Sequence, residues 1–227
     1  MKKKVIVLSL GGSLILPDKV NQKYLKTFKK IIQAKSKKYK FVIVCGGGSL
    51  ARRYITSLQD KPQKIQSTAG IAATRANAKF VSCFFNQDPT LKVPIKIKTI
   101  KKYIKKQDII LCGGLEYKPK QTSDGTAAEI AKYFKSPLIN LTNISGLHTK
   151  NPKTHKDAKF IPKISWKEFN KMANKIKYQP GQHFVLDQSA AKKIMESKIK
   201  TYILGTNLNN LYNLLKNKKF KGTEISG

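Results

Sequence analysis

Four compact apolar runs limit what this chain can become: Val5-Ile6-Val7-Leu8, Phe41-Val42-Ile43-Val44, Ile109-Ile110-Leu111 and Leu138 to Leu141. Each is too short for a core helix and apolar on both alternating faces, so each reads as a strand covered on both sides. Between them lie stretches with helical spacing. Tyr24, Leu25, Phe28, Ile31 and Ile32 mark one such face, Leu50, Ala51, Tyr54, Ile55 and Leu58 a second, and Ala127, Ala128, Ile130, Ala131 and Phe134 a third. Buried strands alternating with helices require parallel pairing through right-handed crossovers. The expected fold class is therefore α/β, a three-layer α/β/α sandwich with a mainly parallel central sheet, formed by one domain over residues 1–227.

Farther along, residues 145–163 form a loop rich in Gly, Pro, His and Asn, long enough to read as a functional flap. Phe184-Val185-Leu186, a helix from Asp187 through Met195, a strand from Thr201 to Leu204 and a last helix around Leu208 to Leu215 follow.

The first strands end in glycines: Gly11-Gly12-Ser13, Gly46-Gly47-Gly48-Ser49 and Gly113-Gly114. In parallel α/β sheets ligands bind at the carboxyl ends of the strands. A strand entering a helix through bare glycines aims backbone N–H groups at one spot, where the helix dipole also favours an anion. A single such turn is as readily plain turn chemistry. Two in succession, each followed by Ser and a helix, suit a transfer between a phosphate donor and a second anionic group. They fit neither the Gly-Lys-Ser/Thr ending of a Walker A loop nor the dinucleotide fingerprint.

Charge points less clearly. The 46 Lys and Arg against 12 Asp and Glu give a net +34, yet only Arg52, Arg53 and Arg75 are arginines. Base readout leans on bidentate arginine, and no nucleic-acid-binding signature is present. The lysine coat reads as diffuse, giving weak, salt-sensitive attraction for any polyanion and no specific nucleic-acid partner. No apolar stretch is long enough to span a membrane, and Met1-Lys2-Lys3-Lys4 runs straight into a strand rather than a signal sequence. Cys45, Cys83 and Cys112 form no CxxC pair, which argues against a disulfide framework and a zinc site. A cytoplasmic protein with no metal-ligating cluster of its own is expected.

The motifs together resemble the amino acid kinase superfamily and, within it, the archaeal type of uridylate (UMP) kinase. The resemblance rests on Ser9-Leu10-Gly11-Gly12-Ser13, Gly46 to Ile55, Gly70-Ile71 with Thr74-Arg75-Ala76-Asn77-Ala78, and Thr122-Ser123-Asp124 with Ala127-Ala128. It continues through Thr142-Asn143 with Gly146, Pro180-Gly181 with Asp187 and Ala190-Ala191, and Gly222-Thr223. It implies an ATP-dependent transfer to UMP with Mg²⁺, in a homo-oligomer that is usually a hexamer, with the acceptor on the N-terminal part and ATP on the C-terminal part.

Carried over residue by residue, the resemblance implies that Gly12, Ser13, Gly48 and Arg52 face the ATP phosphates, with Thr142, Asn143, His148 and Asn151 toward the rest of that nucleotide. Gly47, Ser67, Gly70, Arg75, Thr122 and Ser123 fall on the UMP side. Asp124 and Arg52 are the candidate catalytic residues. Several side chains keep a second reading: Asp124 and Asp187 as helix caps, Arg75 as a salt-bridge or subunit contact, His148 as an exposed loop residue, Lys192 and Lys193 as solvated surface.

Departures from the pattern are specific. Ser9 stands where many members carry a lysine, Ser67 and Ser145 where acids are usual, and His148 and Asn151 where a Tyr and an Asp are expected. The 115–123 loop is two residues longer and contains Lys118-Pro119-Lys120. The competing expectations are a sister kinase of another small phosphate or carboxylate, such as isopentenyl phosphate, and a non-catalytic nucleotide- or polyanion-binding protein.

Overall fold

The computed structural model describes residues 3–152, 154–175 and 185–227. The first two apolar runs become β1 (Lys4–Leu10) and β2 (Tyr39–Cys45), each buried over its last five residues. They pair in parallel from Lys4 opposite Tyr39 to Leu10 opposite Cys45. β3 (Ile109–Cys112) joins β2, and β4 (Leu138–Leu141) joins the other side of β1, both in parallel. β8 (Thr201–Leu204) extends this array beside β4.

The far edge reverses direction. β9 (Thr223–Ile225) runs antiparallel to β8, and the short β7 (Lys163–Ile164) lies parallel to β9. The seven-stranded order is β3-β2-β1-β4-β8-β9-β7, a mainly parallel sheet as the apolar runs predict. Chain progression turns from one direction to the other between β1 and β4, which places a crevice at their carboxyl ends.

Helices cover both faces. On one side Leu8, Leu10, Phe41 and Ile43 pack against α2 (Gln22–Ser36), α4 (Gln63–Phe84) and α9 (Leu208–Leu214) through Phe28, Ile32, Val81 and Leu211. On the other, Val7, Val42 and Val44 meet α5 (Ile97–Lys106), α6 (Ser123–Phe134), α7 (Trp166–Asn174) and α8 (Gln188–Glu196). Two short helices follow the glycine turns, α1 (Gly12–Ile15) and α3 (Gly48–Thr56).

The structure differs from the sequence reading in several places. α5, α7, β7 and β9 have no counterpart there. α3 has no buried residue and leaves Tyr54 exposed, because it borders a cleft instead of the core. Within the 145–163 loop, β5 (Leu147–His148) and β6 (Phe160–Ile161) form a small antiparallel pair. Thr223 ties that pair to the sheet: its hydroxyl accepts from the Leu147 N–H and donates to the Ile161 carbonyl. Val185 and Leu186 form a buried bend, while Phe184 and the Pro180-Gly181 pair lie outside the described residues.

Cys45 and Cys112 are buried free thiols and Cys83 is exposed. Among the described residues no helix is long and apolar enough to cross a membrane.

Candidate active site

The glycine turns after β1 and β2 stand back to back. A Cβ on Gly12 would lie 2.0 Å from the Gly48 nitrogen, and Gly48 itself has φ +61°, a conformation that costs glycine little. Only bare backbone permits this approach. No side chain caps the N-terminus of α3, and its first turn holds no acid, so its leading N–H groups and positive dipole end face outward.

Helix α4 fixes these turns from behind with side chains of the Thr-Arg-Ala-Asn-Ala segment. Asn77 Nδ2 donates to the carbonyls of Gly46 and Gly47 at 2.8 and 3.1 Å. Thr74 Oγ1 accepts from the Gly114 N–H at 2.7 Å. Arg75 donates from Nε to the Gly114 carbonyl at 2.9 Å and from a terminal nitrogen to the Leu115 carbonyl at 2.8 Å. The loops after β2 and β3 are thus hung from one helix.

A cavity of about 480 Å³ opens over these turns, within the range of small-molecule sites. It is lined by Gly12, Ser13, Gly47, Gly48 and Arg52, by Ser67 and Gly70 of α4, and by Thr122, Ser123 and Asp124 at the start of α6. Thr142, Asn143 and Asn151 line its other end.

Two residues that the resemblance assigns to a nucleotide are absent from this lining. Arg75 spends its guanidinium on the loop carbonyls, and the His148 ring packs edge-on against Phe160 at 5.4 Å with Nδ1 beside the Gly146 carbonyl. Lining residues that the motifs did not reveal include Ile55, Ile71, Lys118, Gln121 and Thr154. For Ile55 the signal was its helical spacing, read as a packed helical face; Ile55 and Ile71 both border the cleft.

Asp124 is the best-connected acid. Ser9 Oγ donates to its Oδ1 at 2.8 Å, and its carboxyl is pushed up to about 7, first by burial and second by the Asp187 carboxylate, with the Ser9 hydroxyl pulling the other way. Asp187 is 2% exposed. Its Oδ1 caps α8 by accepting from the Ala190 N–H at 2.6 Å, while Oδ2 receives the Thr122 N–H at 2.9 Å and the Thr122 hydroxyl at 2.5 Å. Thr122 Oγ1 in turn accepts from the Asp124 N–H at 3.2 Å, so Asp187 is a cap that also holds the first turn of α6.

The longer loop is strapped down beside this turn. Lys118 pairs with Glu129 at 2.6 Å, and Lys193 Nζ donates to Gln121 Oε1 at 2.8 Å and to Ser189 Oγ at 2.6 Å. Burial lowers the Lys193 ammonium below its ordinary pKa, with Asp187 and Glu129 opposing that effect and Lys118 adding to it. Among the described residues no group of three or more His, Cys, Asp or Glu side chains is placed to hold a metal ion.

Back-to-back glycine turns at the switch point of a mainly parallel sheet, opening on one cavity with a half-buried acid, define an α/β fold built to bring two anionic ligands together. Residues 4–205 match the amino acid kinase family, and the chain belongs to it. Uridylate kinase of Thermoplasma volcanium is 32% identical over 224 residues, covering 97% of this chain and 96% of the relative. That of Archaeoglobus fulgidus is 33% identical over 205 residues, 88% of this chain and 91% of the relative. A crystal structure of uridylate kinase from Archaeoglobus fulgidus superposes with a TM-score of 0.83 at 31% identity, over 97% of this chain and 99% of that one. An isopentenyl phosphate kinase shares the fold, with a TM-score of 0.72 at 15% identity.

Proposed function

We infer that this chain is a uridylate kinase that transfers the γ-phosphoryl group of ATP to the phosphate of UMP, giving UDP and ADP. The observation that carries this is the single cavity spanning both glycine turns and the start of α6, with relatives of the same length that are uridylate kinases. Phosphoryl transfer asks for in-line positioning and charge neutralisation, with little covalent chemistry from the protein. The amides of the Gly11–Ser13 and Gly46–Gly48 turns and the Arg52 guanidinium are the groups that neutralise phosphate oxygens.

Gly12, Ser13, Gly48 and Arg52 serve the ATP phosphates, and Thr142, Asn143 and Asn151 its nucleoside. Gly47, Ser67, Gly70, Thr122 and Ser123 hold UMP. Arg75 acts on the acceptor indirectly, by holding the backbone of the 114–115 segment, and His148 supports the β5–β6 pair. Asp124 organises the centre.

Mg²⁺ fits as a companion of the nucleotide: phosphate oxygens would supply most of its hard ligands, and Asp124 is a nearby carboxylate to orient it. Bound there, it would offset the charge of the transferring group. The reading includes one catalytic domain over residues 1–227 working in the cytoplasm. It also includes assembly into a homo-oligomer, supported by exposed Ile65 and Phe80 on α4.

A coupled ADP-release assay with UMP, CMP, isopentenyl phosphate and acetylglutamate tests the assignment. Turnover fastest with UMP is expected. A preference for isopentenyl phosphate or acetylglutamate would make this a sister kinase, and no turnover with any acceptor would make it a non-catalytic nucleotide binder.

A further inference from the structure

The excess positive charge is not spread evenly, as a diffuse coat would require. Residues 19–59 carry nine lysines, two arginines and no carboxylate, and residues 197–223 carry six lysines and no carboxylate. Those 68 residues, three tenths of the chain, hold half of the net +34. Apart from Arg52 and Arg53 on α3 beside the cavity, the fold brings the helices of these stretches together, since α2 and α9 share one face of the sheet, where Phe28, Ile32, Leu208 and Leu211 belong to one core.

Each helix follows a parallel strand and runs back toward the strands' amino ends. Their last turns therefore bring Lys35, Lys37 and Lys38 to the same edge as Lys216, Lys218 and Lys219. Lys35 and Lys216 meet at one residue: their Nζ atoms lie 4.6 and 4.7 Å from the centre of the Tyr212 ring, which is 36% exposed. Their charges and that of Lys218 lower the Tyr212 hydroxyl pKa, chiefly through the hydrogen bond with Lys216.

Among the described residues, no lysine of α2 and none of Lys216, Lys218, Lys219 and Lys221 takes part in an ion pair. Of the acids at this end of the sheet, Asp108 and Glu224 are engaged by Lys3, Lys40 and Lys200, and Asp88, just after α4, accepts from Thr90. Helix C-termini already favour cations, but nine ammonium groups without counter-charges repel one another.

We propose that the carboxylate-free face of α2 and α9 is a docking surface for the phosphodiester backbone of RNA. Closely spaced lysines release condensed counterions from such a backbone, a gain independent of base sequence. This agrees with the scarcity of arginine and the lack of any base-reading motif. A membrane surface fits less well. An interfacial helix needs an exposed aliphatic or aromatic face, and the large apolar side chains of α2 are buried in the core.

The surface lies at the amino ends of the strands and the nucleotide cavity at their carboxyl ends. Seven residues of β1 separate the two by roughly 23 Å. RNA held here leaves the cavity open, so a kinase could turn over while bound.

The test is fluorescence anisotropy with a labelled oligoadenylate of about 20 nucleotides, titrated from about 50 to 300 mM KCl. UMP and a non-hydrolysable ATP analogue are kept saturating, so that the cavity is filled. The variant Lys35→Gln/Lys216→Gln/Lys218→Gln is compared with Lys98→Gln/Lys101→Gln/Lys102→Gln on α5, which removes the same charge from the opposite face. The first is expected to weaken binding about fivefold or more and to lower the slope of log K against log salt by about 2, at ~0.7 per single-strand phosphate. The second should change affinity less than about twofold, and both should keep the parent's kinase rate. Equal losses in the two variants would overturn the proposal, as would no binding by the parent at the lowest salt. Capture by phosphatidylserine vesicles through the same three lysines, with no oligonucleotide bound, would overturn it as well.

Discussion

Ser9 and Asp124, 115 residues apart in the chain, are joined by a 2.8 Å hydrogen bond from the serine hydroxyl to the carboxylate. Ser9 stands near the carboxyl end of β1, 1% exposed. The hydroxyl fixes the carboxylate and favours its ionised form. Hydrogen bonds to charged groups contribute about 1.5–3 kcal/mol.

Ser9→Ala should therefore fold and still bind both nucleotides, while kcat falls by about tenfold. Without the hydroxyl the Asp124 carboxyl rises further, so the acid limb of the kcat–pH profile should move to higher pH. A profile of unchanged shape and height would remove Ser9 from the catalytic arrangement. The measurement is steady-state kinetics between about pH 5.5 and 9.

Asp124 also makes the fold pH-dependent. Its carboxyl sits at about 7 in the folded chain against an ordinary 3.8. A carboxyl raised by folding binds its proton more tightly in the native state. The associated stability is complete below about pH 4 and is lost as pH rises through about 7. Asp124→Asn stays neutral throughout. At pH 8 it should be more stable than the parent by about 1–3 kcal/mol, with the gap closing as pH falls toward 4, and its kcat should drop by two orders of magnitude or more. Thermal unfolding at pH 5 and pH 8 decides the matter. A variant less stable at both would mean that the ionised acid contributes net stability.

How much of this was legible in the sequence follows from where the signals lie. The strands before the glycine turns announced themselves because they are buried on both faces and end abruptly in Gly11, Gly46 and Gly113. Helix α5 did not, although Ile97, Ile100 and Ile104 have helical spacing, because the lysines between them masked so narrow an apolar face. β5 and β6 are two residues each, too short for any period to show. Arg75 carries two readings in the sequence, a contact on the UMP side implied by the resemblance and a salt bridge or subunit contact. Its carbonyl partners come from a loop some forty residues downstream, a relation no local pattern encodes. The ambiguity over Asp187, cap or catalytic group, arose because one carboxylate oxygen caps α8 while the other reaches Thr122 at the mouth of the site.

That double attachment separates two substitutions of Asp187. Asn keeps an acceptor for the Ala190 N–H and removes the charge, whereas Ala removes both attachments. Asp187→Ala should lose about 1–2 kcal/mol of stability from the missing cap, and freeing Thr122 should raise KM for UMP severalfold more than KM for ATP. Asp187→Asn should keep most of the stability. Because the Asp187 carboxylate helps to raise the Asp124 carboxyl, this variant should move the acid limb of the rate profile to lower pH. Unfolding curves, with both KM values and the profile for each variant, test this. Identical behaviour of the two would mean that Asp187 acts through its charge and not through the cap.

Arg75 offers the sharpest distinction between holding a loop and holding a ligand. Its guanidinium is committed to the carbonyls of Gly114 and Leu115, a fork geometry that an ammonium cannot copy. Arg75→Lys should therefore behave much like Arg75→Ala, although it keeps the positive charge. Both should weaken UMP binding by about five- to twentyfold through a loosened 114–116 segment, with ATP binding close to that of the parent. Were Arg75 a phosphate ligand, lysine would restore most of the affinity and the loss on alanine would shrink steeply with salt. Calorimetric titration of UMP into the parent and both variants, at about 50 and 300 mM KCl, discriminates the two. Poor rescue by lysine and weak salt dependence are the results expected from the hydrogen bonds seen here.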